Sequence, residues 1–425
     1  VSKPLKLSLS AVALLGGFTS AGAIAFESIG YKASGMGGAG VANAAGSLAG
    51  YYNPALLADT KYDVEVSLGV GITARDSGLG QSADELNDLD FADLIDRASE
   101  NVIALSPDDK DKLIEAKNIA IDMDGDALQA SPRAYLGVQV KNFGIGIYGY
   151  SDAVGKAVVD QAHDQLIFEN SDAYVQLNDD GSTTPSNQTD YENTSLEYAL
   201  NNNLTYTDVK GVAIAEVPLS YGHRFETKVG ALSVGGSLKF MQGVTYFDQI
   251  DLDDSDSSDS SDKNDKTSSN FGIDIGLLYQ PVRDLSIGLV GKNLNSPEFE
   301  SVEGFDDFTV DPMFRAGIAY DLLDSLEIAM DIDLTKNSTF LEDVDSQMIG
   351  GGLDFHPFSW LSLRGGLMQN ISDDFAGLIY TAGLGIGAKW LQLDLSGQVG
   401  NQWGTFDGTD YPKYTNINLA LISRW

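Results

Sequence analysis

Tyr62, Val64, Val66, Leu68, Val70, Ile72 and Ala74 are apolar, and Asp63, Glu65, Ser67, Gly69, Gly71 and Thr73 fall between them. Such unbroken alternation predicts a strand with one apolar and one polar face. Soluble strands usually run about five or six residues, and a tilted membrane strand needs about nine to eleven. The length of this one predicts a membrane strand. The same period returns at Ala134, Leu136, Val138 and Val140, turns at Lys141-Asn142, and resumes at Phe143, Ile145 and Ile147. It recurs around Val217 and Leu219, Leu238 and Phe240, Ile273 and Ile275, Ile287 and Leu289, Ile318 and Tyr320, and Ile328 and Met330. The last strands carry Leu353 and Phe355, Leu361 and Leu363, Leu384 and Ile386, Leu391 and Leu393, and Leu419 and Leu421.

Counted this way, the chain holds fourteen strands joined alternately by short turns and long connections. That rhythm and the even number predict an all-β fold, a 14-stranded antiparallel transmembrane β-barrel. A strand ending at Arg424 and Trp425 would close the wall, leaving no edge with unpaired backbone groups in lipid. A secreted solenoid or propeller would not produce the long–short alternation or the terminal aromatic strand.

The long connections are acidic loops at about 76–132, 151–210 and 251–270. In the first, Phe91, Leu94, Ile95 and Ala98 share one helical face, and Ser106-Pro107-Asp108-Asp109 is an N-cap with proline at N1 for a second helix through Ile119. The third is a low-complexity Asp/Ser run. Residues 1–25 read as a signal peptide, with Lys3 and Lys6, an apolar run and a small-residue site at Ala23-Ile24-Ala25. No other run reaches the ~18 apolar residues of a membrane helix. Residues 26–60 then form a separate N-terminal segment ahead of the barrel, 61–425.

Net charge is −36, which argues against direct nucleic-acid binding, because phosphate contact needs clustered Lys and Arg. With no cysteine, the chain has neither disulfides nor thiolate metal sites. The predicted lumen face carries both signs: Glu65, Arg133, Glu216, Lys239, Asp274, Lys292, Arg315, Glu327, Asp331, Asp333, Asp354, Arg364, Asp394 and Arg424. Mixed signs predict paired charges bracing the wall and its contents, not a selectivity ring of one sign. His163, His223 and His356 fall in a polar loop and near turns, and nothing suggests a catalytic constellation or a cofactor; the chain reads as no enzyme. Asp122, Asp124 and Asp126 could offer carboxylates to a metal, but without the spacing and closing Glu of a calcium loop, so solvated acids are expected. Pro218 interrupts a strand beside the inward acid Glu216, and predicts either a kink or gap in the wall or a bulge near the rim.

Gly35, Gly37, Gly38 and Gly40 make up a glycine-rich block that continues to Tyr52-Asn53-Pro54-Ala55-Leu56-Leu57. Gly35-x-Gly37-x-x-Gly40 matches a dinucleotide fingerprint by letter, but no strand and helix flank it as in a βαβ unit. The block, including Asn53-Pro54-Ala55, resembles the hatch of the FadL/OmpP1 superfamily of outer-membrane barrels. The chain is more narrowly similar to the conjugal-transfer TraF-like branch, through its helical acidic insertion, residues 212–221, Gly288–Leu294 in sequence, and residues 328–336. The resemblance implies a fourteen-stranded barrel whose lumen holds an N-terminal hatch (plug) built on Gly35, Gly37, Gly38, Gly40, Asn53 and Pro54. A wall of that size encloses more space than its own side chains fill.

Two functions follow from the resemblance. One is passive uptake of long-chain fatty acids or hydrocarbons through a hatch-gated, laterally opening barrel in the bacterial outer membrane. The other is a structural or assembly role in conjugal transfer or surface interaction, without transport. Expected partners are outer-membrane lipid and lipopolysaccharide, a hydrophobic small-molecule ligand, and the barrel-assembly machinery through the strand ending at Trp425. A transporter would need an apolar inner pocket; Val212, Ile214 and Val290, apolar on the polar face, hint at one.

Overall fold

A computed structural model describes residues 28–170, 173–251, 265–302, 307–339, 345–373 and 376–425. The signal-peptide segment and most of the Asp/Ser loop at 251–270 lie outside the described residues. Fourteen antiparallel strands close into a single barrel in sequence order, with the first paired to the last. They are β1 Val64–Asp76, β2 Ala127–Val140, β3 Phe143–Val158, β4 Tyr206–Thr227, β5 Gly230–Asp251, β6 Asp265–Val282 and β7 Leu285–Lys292. The circuit continues with β8 Met313–Leu323, β9 Leu326–Asp333, β10 Met348–Phe358, β11 Leu361–Asn370, β12 Leu378–Ala388, β13 Leu391–Gly400 and β14 Tyr414–Arg424.

Alternation sorts every strand onto two faces. Leu68, Val70, Ile72, Ile145, Ile147, Leu238, Phe240, Leu419 and Leu421 stand exposed on the outside, while Glu65, Ser67, Thr73, Ser237 and Asn418 are buried inside. An apolar surface that encircles the whole molecule is far larger than water-soluble proteins expose, and its solvent is lipid. At the short-turn end, Phe143, Tyr221, Phe225, Phe358, Trp360, Trp390 and Trp425 are also exposed, the aromatic girdle of a membrane interface. The seam closes where the Val64 N–H donates to Trp425 O at 3.2 Å and the Trp425 N–H to Val64 O at 2.9 Å.

β4 and β5 run 22 residues each, well beyond the alternating stretch read from sequence. Past the lipid no face need be apolar, so pairing continues after the pattern has ended. The first acidic insertion also ends earlier than expected, since β2 begins at Ala127. Between β1 and β2 lie α-helices at Leu79–Asp88, Phe91–Asn101 and Pro107–Asp122, the last capped by Ser106, whose hydroxyl accepts the Asp109 N–H at 3.1 Å. They pack with the β3–β4 connection through Leu94, Leu113, Phe168 and Leu196 into a small separate core on the long-loop side. That connection adds a three-stranded sheet and two short helices, Gln188–Thr194 and Leu196–Asn201, to what reads in sequence as a polar stretch.

Candidate functional site: the channel interior

The described part of the N-terminal segment lies inside the barrel. Two short helices, Tyr31–Gly35 and Gly46–Tyr52, and a 3-10 turn, Pro54–Ala58, are almost wholly buried against inward-facing wall residues. Gly37 and Gly38, with φ of +65° and +82°, form a left-handed turn that suits glycine. The Gly37 N–H donates to Thr381 Oγ1 at 3.0 Å, and Thr381 in turn donates to the Gly35 carbonyl at 3.1 Å. Gly40 packs so closely on the Tyr52 ring that a Cβ there would overlap it.

Three wall carboxylates hold this segment. Asp331 Oδ2 accepts the N–H groups of Gly40 and Val41 at 2.8 and 2.9 Å. Glu65 Oε1 accepts the Ser47 N–H at 3.0 Å and the Ser47 hydroxyl at 2.6 Å, at the start of the second helix. Glu327 pairs with Lys32 at 2.9 Å and accepts from Asn43 at 2.5 Å. Each acceptor is charged, which strengthens the bond roughly twofold over a neutral one.

Asn53 and Pro54 anchor the far end. Asn53 is fully buried, with Oδ1 accepting the Ala55 N–H at 3.0 Å and Nδ2 donating to the carbonyls of Val41 at 2.9 Å and Leu277 at 3.0 Å. Pro54 leans on inward glycines of the wall. A methyl group on Gly235 would overlap the Pro54 backbone, and one on Gly276 would overlap the Asn53 side chain. Inward glycines likewise meet Val41 at Gly288 and Met36 at Gly352. This glycine footprint is legible only as glycines recurring at inward positions, a signal the strand pattern alone does not flag.

Most of the remaining lumen charges pair along the wall. Lys239, fully buried, lies 3.1 Å from both Glu216 and Asp274 and donates to Asn293 at 2.6 Å. Arg315 pairs with Asp333 at 2.5 Å, Arg364 with Asp354 and Asp394 at 3.2 and 2.7 Å, and Arg424 with Glu65 at 2.9 Å. Lys292 sits 3.6 Å above the Tyr51 ring, a cation–π contact between wall and inner segment.

Glu216 and Pro218 face inward on β4. Towards β5 the pairing runs unbroken through Pro218 opposite Lys239. Towards β3, Ile145 pairs with Leu219 and Tyr148 with Glu216, but the two rungs between, Gly146 opposite Pro218 and Ile147 opposite Val217, are missing. The register is the same on both sides of the break, so no extra residue is inserted and this is not a bulge. Proline has no N–H to give a rung. The helix Gly46–Tyr52 packs beside the break, where Tyr148 donates to Ser47 O at 3.1 Å. Pro132 marks a similar interruption between β2 and β3, where the Ser131 hydroxyl reaches the Asp152 carboxylate instead. Sequence reasoning missed it by assigning Pro132 to the loop.

The acidic candidates are spread over a turn. Asp124 accepts the Val159 N–H at 2.9 Å, Asp126 faces Ser82, and Asp122 is exposed. Burial first, and the nearby Asp76 carboxylate second, raise the Asp126 carboxyl above its ordinary value. Among the described residues no group of three or more His, Asp or Glu is placed to hold a metal ion. The histidines lie apart: His163 pairs with Asp160 at 3.0 Å in the outer core, while His223 and His356 sit near short turns.

On the long-loop side, a cavity of about 50 Å³ reaches down to Gly37 and Gly38, lined by Arg75, Arg315 and Asp331 and by the apolar side chains of Met348, Met368 and Ile379. That is room for a few waters. Val212, Ile214 and Val290, the inward apolar residues singled out from the sequence, do not line it. Val154, Val212, Ile214 and Met241 form a cluster covered by Phe299 and Phe308 from the β7–β8 connection. Val290 packs instead with Tyr51 and Tyr52 of the inner segment.

A closed barrel with a lipid-facing band and a polar, filled lumen is an integral protein of the bacterial outer membrane. The chain belongs to the family described as "F plasmid transfer operon, TraF, protein", whose sequence profile matches residues 50–333. Among solved structures it resembles the P. putida toluene transporter TodX, with a TM-score of 0.50 at 12% identity over 94% of this chain and 99% of that one. A deltaS2 mutant of the TodX monoaromatic hydrocarbon channel gives 0.51 at 10% identity over 95% and 100%. A Pseudomonas aeruginosa FadL homologue gives 0.45 at 10% identity over 96% and 100%. The fold of the TodX channel is therefore shared. No curated protein sequence matches the chain.

Proposed function

We propose that the protein is a passive outer-membrane channel for hydrophobic small molecules. The segment 26–60 acts as its hatch, and the break between β3 and β4 is its sideways exit. The observation that carries this reading is the pair of missing rungs at Gly146–Pro218 and Ile147–Val217, directly beside the hatch helix. A polar lumen offers an apolar solute little, whereas a wall that fails to pair offers a path into lipid. The fold shared with a protein described as a toluene transporter supports the same direction. Outer-membrane lipid and lipopolysaccharide would surround the barrel, and the assembly machinery would engage β14 near Trp425.

A second reading, a structural or assembly role in conjugal transfer without transport, is favoured by the family description and by the filled lumen. Uptake of a labelled fatty acid or of toluene into proteoliposomes separates the two. Uptake above protein-free liposomes supports the channel, and its absence supports the second reading.

A further inference from the structure

We propose that the inward apolar notch formed by Val154, Val212, Ile214, Met241 and Gly243 is a binding site for one phenyl-sized ring, and that Phe299 occupies the place of that ring. The inference deepens the channel reading by naming a substrate class, and it rests on that reading.

Around the rest of the wall, inward positions are mostly charged, hydroxylic, amide or glycine. Here three neighbouring strands turn apolar side chains inward into one cluster: Val154 on β3, Val212 and Ile214 on β4, and Met241 on β5. Gly243 lies opposite Ile214, and a Cβ on it would fall 2.5 Å from Phe299 Cδ1. The missing side chain is what lets an aromatic ring lie against the wall. Phe299 is fully buried, with Phe308 stacked behind it, ring centres 6.2 Å apart.

The occupant comes from a connection, not from the wall. Phe299 belongs to a hairpin with two paired positions, Glu298–Thr309 and Phe299–Phe308. Contacts to the wall include Glu300 N–H to Ser268 Oγ at 3.0 Å, Asn270 Nδ2 to Glu298 O at 2.7 Å, and Thr245 Oγ1 to Glu300 O at 2.9 Å. The hairpin is a separate two-stranded sheet outside the barrel ladder, so a ligand with the shape of the Phe299 ring can compete for the notch without breaking the wall.

The notch stands above the break in the wall, with Tyr148 and Glu216 between them. Tyr150 pairs with Ile214 and Tyr148 with Glu216, and the next inward positions down the same two strands are Gly146 and Pro218, where the rungs are missing. Pro218 lies four positions along from Ile214, roughly 14 Å on a strand. A ring released from the notch would lie above the break.

The test uses the full chain in detergent with p-fluorotoluene as probe, followed by 19F NMR line broadening. Variants are Phe299→Ala, Phe299→Leu, and Phe299→Ala combined with Gly243→Leu to refill the notch; retained heat-modifiable gel mobility identifies folded barrels. Emptying the notch removes the competitor, so Phe299→Ala should bind saturably and about tenfold or more tighter than the unaltered chain. Phe299→Leu should also bind more tightly, and the double variant should not bind saturably. Folded Phe299→Ala and Phe299→Leu proteins that bind no better than the unaltered chain would overturn the site. So would undiminished binding by the double variant. The assay needs no transport. Binding without liposome uptake leaves the site standing and removes the channel; uptake without binding does the reverse.

Discussion

Asp331 on β9 accepts the backbone N–H of Gly40 at 2.8 Å and so ties the wall to the turn that follows the glycine block. The same oxygen accepts the Val41 N–H at 2.9 Å, so one side chain satisfies two buried donors. Asp331→Ala strands both, at a cost of about 1–3 kcal/mol each. The expected outcome is a folded barrel with a loosened inner segment, measured as raised permeability of proteoliposomes to small sugars. Permeability equal to that of the unaltered chain would show that Asp331 is no latch.

Deleting residues 35–50 tests the hatch itself. The variant should fold, because the strands pair with one another, and it should leak small solutes more than any latch variant. If it conducts no more than the intact protein, the lumen is blocked by something else.

Lys239 balances Glu216 and Asp274 at 3.1 Å each in a fully buried site. Lys239→Met leaves two acids without their cation and should cost about 3–5 kcal/mol. Neutralising all three, with Glu216→Gln and Asp274→Asn added, should recover most of that loss. Guanidinium unfolding in detergent reads both; equal losses in the single and triple variants would mean the charges do not act as one unit.

Pro218→Val restores a backbone N–H where rungs to β3 are missing. We expect slower hydrogen exchange of the amides of 146, 147 and 217, a protected new amide at 218, and reduced uptake of hydrophobic solute. Unchanged uptake with restored protection would remove the lateral exit while leaving the barrel intact.

In the outer core, burial raises the Glu197 carboxyl above its usual range, and its hydrogen bonds only partly offset this. A carboxyl with a raised folded pKa binds its proton more tightly when folded. The associated stability is therefore present below the unfolded value of about 4.3 and lost as pH rises through the folded value. Hydrogen-exchange protection of residues 188–201 should increase as pH falls through that window. Glu197→Gln should flatten the increase relative to the unaltered chain, and an identical pH profile would rule Glu197 out as its source.

Much of this architecture is legible in the chain because lipid imposes a strict rule on each strand. Leu68, Val70 and Ile72 must face out, so their neighbours face in, and the strand count follows. The rule lapses above the membrane, which is why the upper halves of β4 and β5 and the sheet around Phe168 leave no periodic trace. Pro218 is visible as a proline inside a period-two run; Pro132, at the edge of such a run, is not. The pairing of Glu65 with both Ser47 and Arg424 depends on closure of the circle, which no local pattern encodes. Phe299 lies in a stretch that reads as loop, and its place against Gly243 comes from tertiary packing alone.

The seam between β1 and β14 has a consequence for biogenesis. Glu65 and Arg424, 359 residues apart, meet there, and Arg424 also donates to Tyr31 of the inner segment at 2.8 Å. Contacts so distant in sequence form late, after nearer strands have paired. The same strand that seals the wall therefore completes the seat of the inner segment. A barrel stalled before β14 docks would be an open sheet with its stopper unsecured, so sealing and stoppering become a single event.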